Sequence, residues 1–482
     1  MLVLSLSSVA QPEYSDVERQ SYRLYLDKSW DSLLCVGKQA LRSGIDYFFL
    51  RSRLGAARFE KQQYIRAAYQ FEQARTFNIS DAWVNRLLYY SLLYSGRAGQ
   101  AGTLAMTMPD PRRSEIGFRR KVLETFSLEF GYTLSNAFQK SDIGQLAGPG
   151  SVYGEQDLYG NNLYAHADFT LNVSGQVSLT LGYNYLNFKK RKIFHVTYPE
   201  AVLDSTGPTP WGYANYYSFP VTVRNPGFDY SLNQHEIHLS ANWIPADGTR
   251  IIPSAHMVLV DYRSTDALHQ VTERELIRMY NQSMDIYYTM AFIEEKYRFR
   301  QRDTSYVNFL VSLLVTRDFD LFTAGLSGSW SNLNGSEQAQ AGLDLTWYPL
   351  GTLDFYGTTC LITFLENQDS RMIFRQMVGV KLWKWLWIEG DFLYGNLANG
   401  NLANGQVIYN NSDRIRYRAG GNLIFPLFRQ MTVSLTYQFF ERESTILRYS
   451  RSPGNPDAGI TLQILPMKYQ TNSLYLSLKY NL

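Results

Sequence analysis

Six histidines and two cysteines are the residues this 482-residue chain offers for metal or nucleophilic chemistry, and their spacing decides what they can do. In "NQHEIHLS", His235 and His238 lie three apart. Side chains of a strand alternate between its faces, so these two point in opposite directions and cannot share a metal ion. His235 beside Glu236 is no better placed. His166 and Asp168 do share a parity and are the one pair suggestive of acid–base work; a solvated histidine on a polar face is the plainer reading. Cys35 falls in a helical region and Cys360 in a strand far along the chain, so neither a disulfide nor a cysteine metal site is expected. The chain has no phosphate loop and no dinucleotide fingerprint. These readings predict a protein that is not an enzyme and uses no cofactor and no metal.

Other residues suggest binding rather than catalysis. "DRIRYRAGG" places Arg414, Arg416 and Arg418 on one parity, opposite Ile415, Tyr417 and Ala419. On the inner wall of a pore such a basic ladder would favour an anionic solute. Acidic residues of neighbouring strands would instead neutralise it and brace the wall, which is the preferred expectation. "PWGYANYYSFP" gathers Trp211, Tyr213, Tyr216 and Tyr217 in a long connection, either to contact a ligand or partner or to fold over an opening. "GNLANGNLANGQ" duplicates a pentapeptide and is expected to be a flexible surface loop without chemistry.

The elements that would carry these residues change period along the chain. From Lys121 onward apolar residues recur at every second position. "ETFSLEFGYTLS" alternates Phe126, Leu128, Phe130, Tyr132 and Leu134 with polar neighbours, and the final "NSLYLSLKYNL" alternates Leu474, Leu476, Leu478, Tyr480 and Leu482 in the same way. The opposite parity is strongly polar, with Glu129, Asp168, Glu236, Asp344, Glu389 and Asp391. Tight turns near 174–176, 245–249, 317–318, 349–352, 383–385 and 426–430 interleave with longer connections near 135–160, 191–231, 397–406 and 447–466. Short turns on one side and long loops on the other mark a transmembrane β-barrel. Its closure removes the sheet edges that an open sheet of this size would expose. Aromatic residues, 15% of the sequence with 36 tyrosines, suit the membrane interfaces of such a barrel. A net charge of +3 gives no reason to expect a nucleic-acid partner. An even strand number is expected: fourteen first and sixteen second, the ambiguity residing in residues 264–302. The last strand should pair with the first, its leucines facing lipid and Tyr480 in an aromatic girdle.

Before the strands, residues 15–108 read as helices. "YIRAAYQFEQARTF" puts Ala67, Phe71 and Ala74 on one helical face. With Leu54-Gly55 and Tyr64 upstream, this resembles the tetratricopeptide (TPR) signature, and its 34-residue period maps Tyr64 back to Trp30, Ala74 to Ala40 and Ala67 forward to Ala101. Arg58, Gln62 and Gly37 depart from the family pattern. Three helical hairpins are expected at 14–43, 47–77 and 81–107, ended by the prolines of "MPDPRR". Met1 to Ala10, apolar with small residues before Gln11, reads as the remnant of a signal peptide that lacks its basic segment. The expected organisation is a signal remnant at 1–10, a TPR-like helical domain at 11–108, a linker at 109–121 and a barrel at 122–482.

The barrel region resembles bacterial outer-membrane proteins, although it ends in Leu482 where their closing signal ends in Phe. Its Tyr-rich strands resemble those of the Bacteroidota. The whole plan is similar to TPR-containing polysaccharide exporters and to surface-lipoprotein assembly modulators with fourteen-stranded barrels. That resemblance implies an outer-membrane location with the helical domain in the periplasm and long loops outside. The expected function is that of a non-enzymatic subunit of an outer-membrane assembly or secretion complex, its lipid partner the membrane and its helical domain docking a periplasmic or outer-membrane protein. Export of polysaccharide or lipoprotein, and porin-like uptake, are the alternatives. Tyr89, Tyr90 and Tyr94 of the third hairpin are the candidate partner contacts; packing against the barrel rim is their other possible role.

Overall fold

The computed structural model describes residues 13–482 apart from 201, 210–211, 219, 282–285, 367–368, 403–404, 429 and 452–458. The expected signal remnant, 1–10, thus lies outside the described residues. Three helical hairpins come first: α1 Tyr14–Leu26 with α2 Trp30–Arg42, α3 Phe48–Glu60 with α4 Tyr64–Phe77, and α5 Ala82–Tyr94 with α6 Ala98–Thr107. Small residues on the inner faces set how closely the helices approach. Ala67, Ala68, Phe71 and Ala74 are fully buried, and a Cβ added to Gly55 of α3 would stand 2.5 Å from the Phe71 ring of α4. Asp81 caps α5, its side chain accepting from the Val84 N–H at 2.8 Å. The prolines of "MPDPRR" do not simply end the helical region. They open one more short helix, α7 Asp110–Glu115, because proline is tolerated in a first turn, where its missing N–H has no partner to lose.

Fourteen antiparallel strands follow. They are β1 Leu123–Ser135, β2 Ser151–Asn172, β3 Val177–Pro199, β4 Gly227–Ala246, β5 Thr249–Asn281, β6 Ile286–Asp318 and β7 Phe322–Ser331; then β8 Gln338–Trp347, β9 Phe355–Glu366, β10 Asp369–Trp383, β11 Leu386–Gly395, β12 Arg414–Pro426, β13 Met431–Ser450 and β14 Thr461–Asn481. Each pairs with the next, and β14 returns to β1 with Leu476 opposite Phe130 and Leu478 opposite Leu128. The sheet is therefore closed, at fourteen strands rather than sixteen. Among the described residues, 264–302 add no strand; they lengthen β5 and β6 to 33 residues each, about three times the 9–11 that cross a bilayer, so this hairpin projects far beyond it.

Exposure follows parity. Phe130, Leu326, Leu343, Met372, Leu474 and Leu476 stand on the outer surface, 52–65% exposed, as a lipid-facing belt requires. Polar residues of the other parity turn inward. The barrel end nearest the helices carries short connections, such as 173–176 and 247–248; the opposite end carries long ones and, between β1 and β2, two short helices, α8 Ala137–Lys140 and α9 Ile143–Leu146. These pack with Leu158, Ile193, Ile446 and Met467 of the strand extensions. The expected aromatic connection becomes a hairpin, Val202–Thr209 with Gly212–Ser218; Tyr213, Tyr216 and Tyr217 lie on its second strand and Trp211 lies outside the described residues.

Candidate functional site in the lumen and at the barrel mouth

The lumen is occupied by the protein's own chain. The connection from β11 to β12, expected as a flexible surface loop, instead folds inward. Leu397, Leu402 and Tyr409 are buried against Phe364, Ile373, Leu393, Ile415 and Phe440 of the wall. The physical reason is in the repeat itself. Each repeat supplies a leucine to bury, Leu397 and Leu402, and a glycine, Gly400 and Gly405, that lets backbone approach the wall closely. A Cβ on Gly400 would stand 2.5 Å from the Phe364 ring, and one on Gly405 would stand 2.8 Å from Nε2 of His256. Polar contacts complete the fit. Arg371 donates to the Ala398 carbonyl at 2.9 Å, Asn401 to the Ser329 hydroxyl at 3.0 Å, and Asn410 to the Gln234 side-chain carbonyl at 3.3 Å. A short hairpin, Gly400–Leu402 with Val407–Tyr409, stiffens the loop.

The wall facing this loop is a network of matched charges. Asp391 of β11 receives Arg375 at 2.6 Å and also Arg418 of β12, whose other amino group donates to the Tyr409 hydroxyl at 2.8 Å. Arg414, Arg416 and Arg418 do not form the expected ladder. A register shift between Ile415 and Tyr417 breaks the alternation, so Ile415 enters the apolar cluster, Arg414 stays exposed, and Arg416 pairs with Glu441 at 3.3 Å. Cys360 faces the lumen from β9 and Cys35 is exposed on α2; both are free thiols.

His166, His238 and His256 form a stack across β2, β4 and β5. Ring centroids are 5.9 and 5.3 Å apart, with planes within 10° and 19°. Gly182 on the intervening β3 makes room: a Cβ there would stand 1.9 Å from the His238 ring. Asp168 holds the first ring at 2.7 Å, so this pair is part of a wall network rather than an isolated dyad. His235 points outward and pairs with the Tyr183 hydroxyl at 2.7 Å. Sequence reading missed the stack, although the signal was present. A turn at 247–248 puts His238 opposite His256 by simple register. Among the described residues no cluster of His, Cys, Asp and Glu is arranged to hold a metal ion.

At the helix end the hairpins are fixed to three barrel turns. Arg75 of α4 pairs with Asp247 in the β4–β5 turn. Gln100 of α6 donates to Asp318 at 2.8 Å, and Arg97 lies 3.5 Å from the same carboxylate. Arg66 faces Asp320 at 3.8 Å, and the Ile65 N–H donates to the Gly351 carbonyl at 3.2 Å. Glu72 sits in the middle of this seam. Burial pushes its carboxyl up to about 8; Arg97 opposes that shift, while Asp247 and Asp318 add to it. Beside the seam a chamber of 960 Å³ opens between α6 and the ends of β1, β3 and β14. Of the three candidate tyrosines, Tyr89 is 6% exposed and belongs to the helical core, against Phe118 at 6.4 Å. Tyr90 stacks on Tyr94 at 6.0 Å, and Tyr94, 54% exposed, lies 4.9 Å from Tyr64.

No protein-family model and no curated protein matches this chain. Among solved structures, the toluene transporter TodX of Pseudomonas putida is similar over 79% of this chain and 92% of its own, at 8% identity and a TM-score of 0.39. A Pseudomonas aeruginosa FadL homologue covers 81% and 94% at 9% identity and a TM-score of 0.34. An anion-selective porin from Comamonas acidovorans covers 75% and 99% at 8% identity and a TM-score of 0.27. The barrel itself is established by the pairing of β14 with β1, not by these likenesses.

Proposed function

We propose that the protein is an outer-membrane barrel, shut at rest by its own loop, that anchors a periplasmic docking module for a protein partner in an assembly or secretion complex. The observation that carries this reading is the seam. Ion pairs and hydrogen bonds to three separate turns hold the hairpins in one orientation and leave Tyr94 exposed beside the half-buried rings of Tyr90 and Tyr64. A module that only plugged the barrel would have no need of an exposed tyrosine at this place, and aromatic side chains are enriched at protein interfaces. The short connections at the helix end support its placement in the periplasm, with the long β5–β6 hairpin outside the cell. A photoreactive amino acid at position 94, used in living cells, should give one dominant protein adduct. Tyr94→Glu should weaken that association and leave heat-modifiable mobility unchanged. Adducts to lipid alone would show instead that the tyrosine is an interfacial anchor and would defeat the docking reading.

A second reading, a gated conduit for small solutes, is favoured by three cavities of 240, 320 and 190 Å³, of mixed polar and apolar lining, that flank the inward loop. Planar-bilayer recordings separate the two. Spontaneous opening of the intact protein supports a conduit, whereas conductance only after removal of residues 397–411 supports a closed anchor.

A further inference from the structure

We infer that the 960 Å³ chamber between the helices and the ends of β1, β3 and β14 binds a phosphate-bearing amphiphile, with the chemistry of a phospholipid from the adjoining leaflet. This goes beyond docking and does not depend on it. The first observation is an excess of positive charge. Arg119, Arg120 and Lys121 of the linker and Lys479 of β14 line the chamber, against Glu124 and the terminal carboxylate of Leu482, so cations exceed anions four to two. Among the described residues none of the four cations forms an ion pair. Arg120 is held by main-chain oxygen instead, donating to the Val173 carbonyl at 2.8 Å and the Asn172 carbonyl at 3.5 Å. Carbonyl acceptors fix a guanidinium in place without cancelling its charge. Lys479 sits opposite Ser127 of β1 and Thr432 of β13, on the inward parity, so it faces the chamber and not lipid. A phosphate suits such a group of cations, because several of them can share its oxygens.

The second observation is an apolar wall facing the basic one. Leu93 of α5, Met106 of α6 and Phe118 of the linker line the helix side of the same chamber. Leu93 is exposed and the other two are half-buried, so the helical core leaves part of each uncovered. A soluble anion would leave this wall in water; an apolar chain attached to the phosphate covers it. The chamber also adjoins lipid. Val122 and Leu123, 68% and 38% exposed, follow Lys121 directly and begin the lipid-facing surface of β1. Basic residues at such a boundary attract anionic headgroups.

Other ligand classes fit worse. A cation would meet an excess of like charge, and a plain hydrocarbon would answer none of the four basic groups. An acidic peptide meets the charge, but the neighbouring lipid surface favours the amphiphile. The volume lies at the upper end of the roughly 300–1,000 Å³ of ligand sites, room for a phosphate head and the upper part of its acyl chains.

The test uses full-length protein in a non-ionic detergent without phosphate. Binding of dihexanoyl phosphatidic acid, soluble as a monomer, is measured by calorimetry and native mass spectrometry. Glycerol 3-phosphate (the head alone), dihexanoyl phosphatidylcholine (no net charge) and a hexaglutamate peptide are the comparisons. The phosphatidic acid should bind saturably, about tenfold or more tighter than glycerol 3-phosphate or the phosphatidylcholine, and added salt should weaken it. Arg119→Gln and Lys479→Gln should each weaken it about threefold to fivefold, as exposed charge pairs do. Leu93→Asn should weaken the phosphatidic acid and leave glycerol 3-phosphate unchanged. Arg119 lies in the linker, outside the sheet, so its variant keeps the test open should a change in β14 hinder assembly. Absence of saturable binding at millimolar concentration overturns the proposal. Equal binding of glycerol 3-phosphate does so too, by assigning the chamber to a soluble phosphate. So do equal binding of the phosphatidylcholine, tighter binding of hexaglutamate, or binding that neither Arg119→Gln nor Lys479→Gln changes.

Discussion

Gly405 holds its backbone at φ +85 with His256 and Leu310 packed against it, so two separate constraints meet at one residue. Any side chain there is strained in conformation and also collides with the wall. Gly405→Ala should therefore cost about 1 kcal/mol or more of loop docking through the backbone alone. In bilayer recordings it should raise open probability while leaving the folded mobility of the barrel unchanged; an unchanged closed state would mean that this contact does not hold the loop. Residue-scale logic on the outer face is simpler. Leu476 is 55% exposed opposite Phe130, where the surroundings are lipid. Leu476→Lys should destabilise the barrel by about 2–4 kcal/mol if it lies near the midplane. Ser477→Lys should be tolerated, because Ser477 faces inward, opposite Glu129 and hydrogen-bonded to Ser434 at 2.7 Å. Denaturant titration in micelles measures both variants, and equal costs would contradict the parity assignment.

At the scale of elements, what could be read from sequence was what obeys a period. Apolar residues at every second position located the strands, and the spacing of Ala67, Phe71 and Ala74 located α4. Three features were hidden because they break a period or depend on distant partners. The bulge at Ile415 takes Arg414 and Arg416 out of the lumen wall and leaves Arg418 in it; nothing in "DRIRYR" marks it. The inward course of 397–409 depends on Phe364, Ile373 and Phe440, which only the closed barrel brings together. The seam at Glu72 joins residues some 170–250 positions apart in sequence, as Arg75 with Asp247 and Arg97 with Asp318 illustrate. That seam carries a pH dependence of definite sign. Glu72 titrates at about 8 when docked, against 4.5 in its ordinary state, so docking favours its protonated form. Its contribution is therefore fully present below about pH 4.5 and is lost progressively as pH rises through about 8. Hydrogen exchange across α4 and the 247–248 turn should speed up between pH 5 and 8, after correction for intrinsic exchange, and level off above. Glu72→Gln should flatten this profile; if the variant retains the full pH response, another group governs the seam.

For the whole molecule, the question is whether helices and barrel are one folding unit or two. Their apolar cores are separate. Phe71, Leu88, Leu104 and their neighbours form one helical cluster and Leu33, Leu50 and Leu54 another, while the barrel clusters draw on strands, the inward loop, the far-end helices and Leu333 of the β7–β8 connection. What crosses the seam is mainly polar, ion pairs and hydrogen bonds at turns that already lie at the mouth of the barrel, with small apolar contacts such as Met106 on Gly175 and Leu353 on Gly96. Pairs of this kind contribute modestly where water can replace a lost partner. The one exception is Asp318, 4% exposed, which would lose Arg97 and Gln100 but keep Thr323 at 2.6 Å and Arg250 at 3.9 Å. Barrel closure itself depends on β14 meeting β1, and no helix takes part in that pairing. Removal of residues 13–108 should therefore leave a barrel that inserts, shows heat-modifiable mobility and keeps its inward loop, while the adduct expected at position 94 disappears with the module. A truncated chain that accumulates unfolded in the periplasm would show that the helices guide assembly, and that the seam is a step in folding rather than a mount for docking.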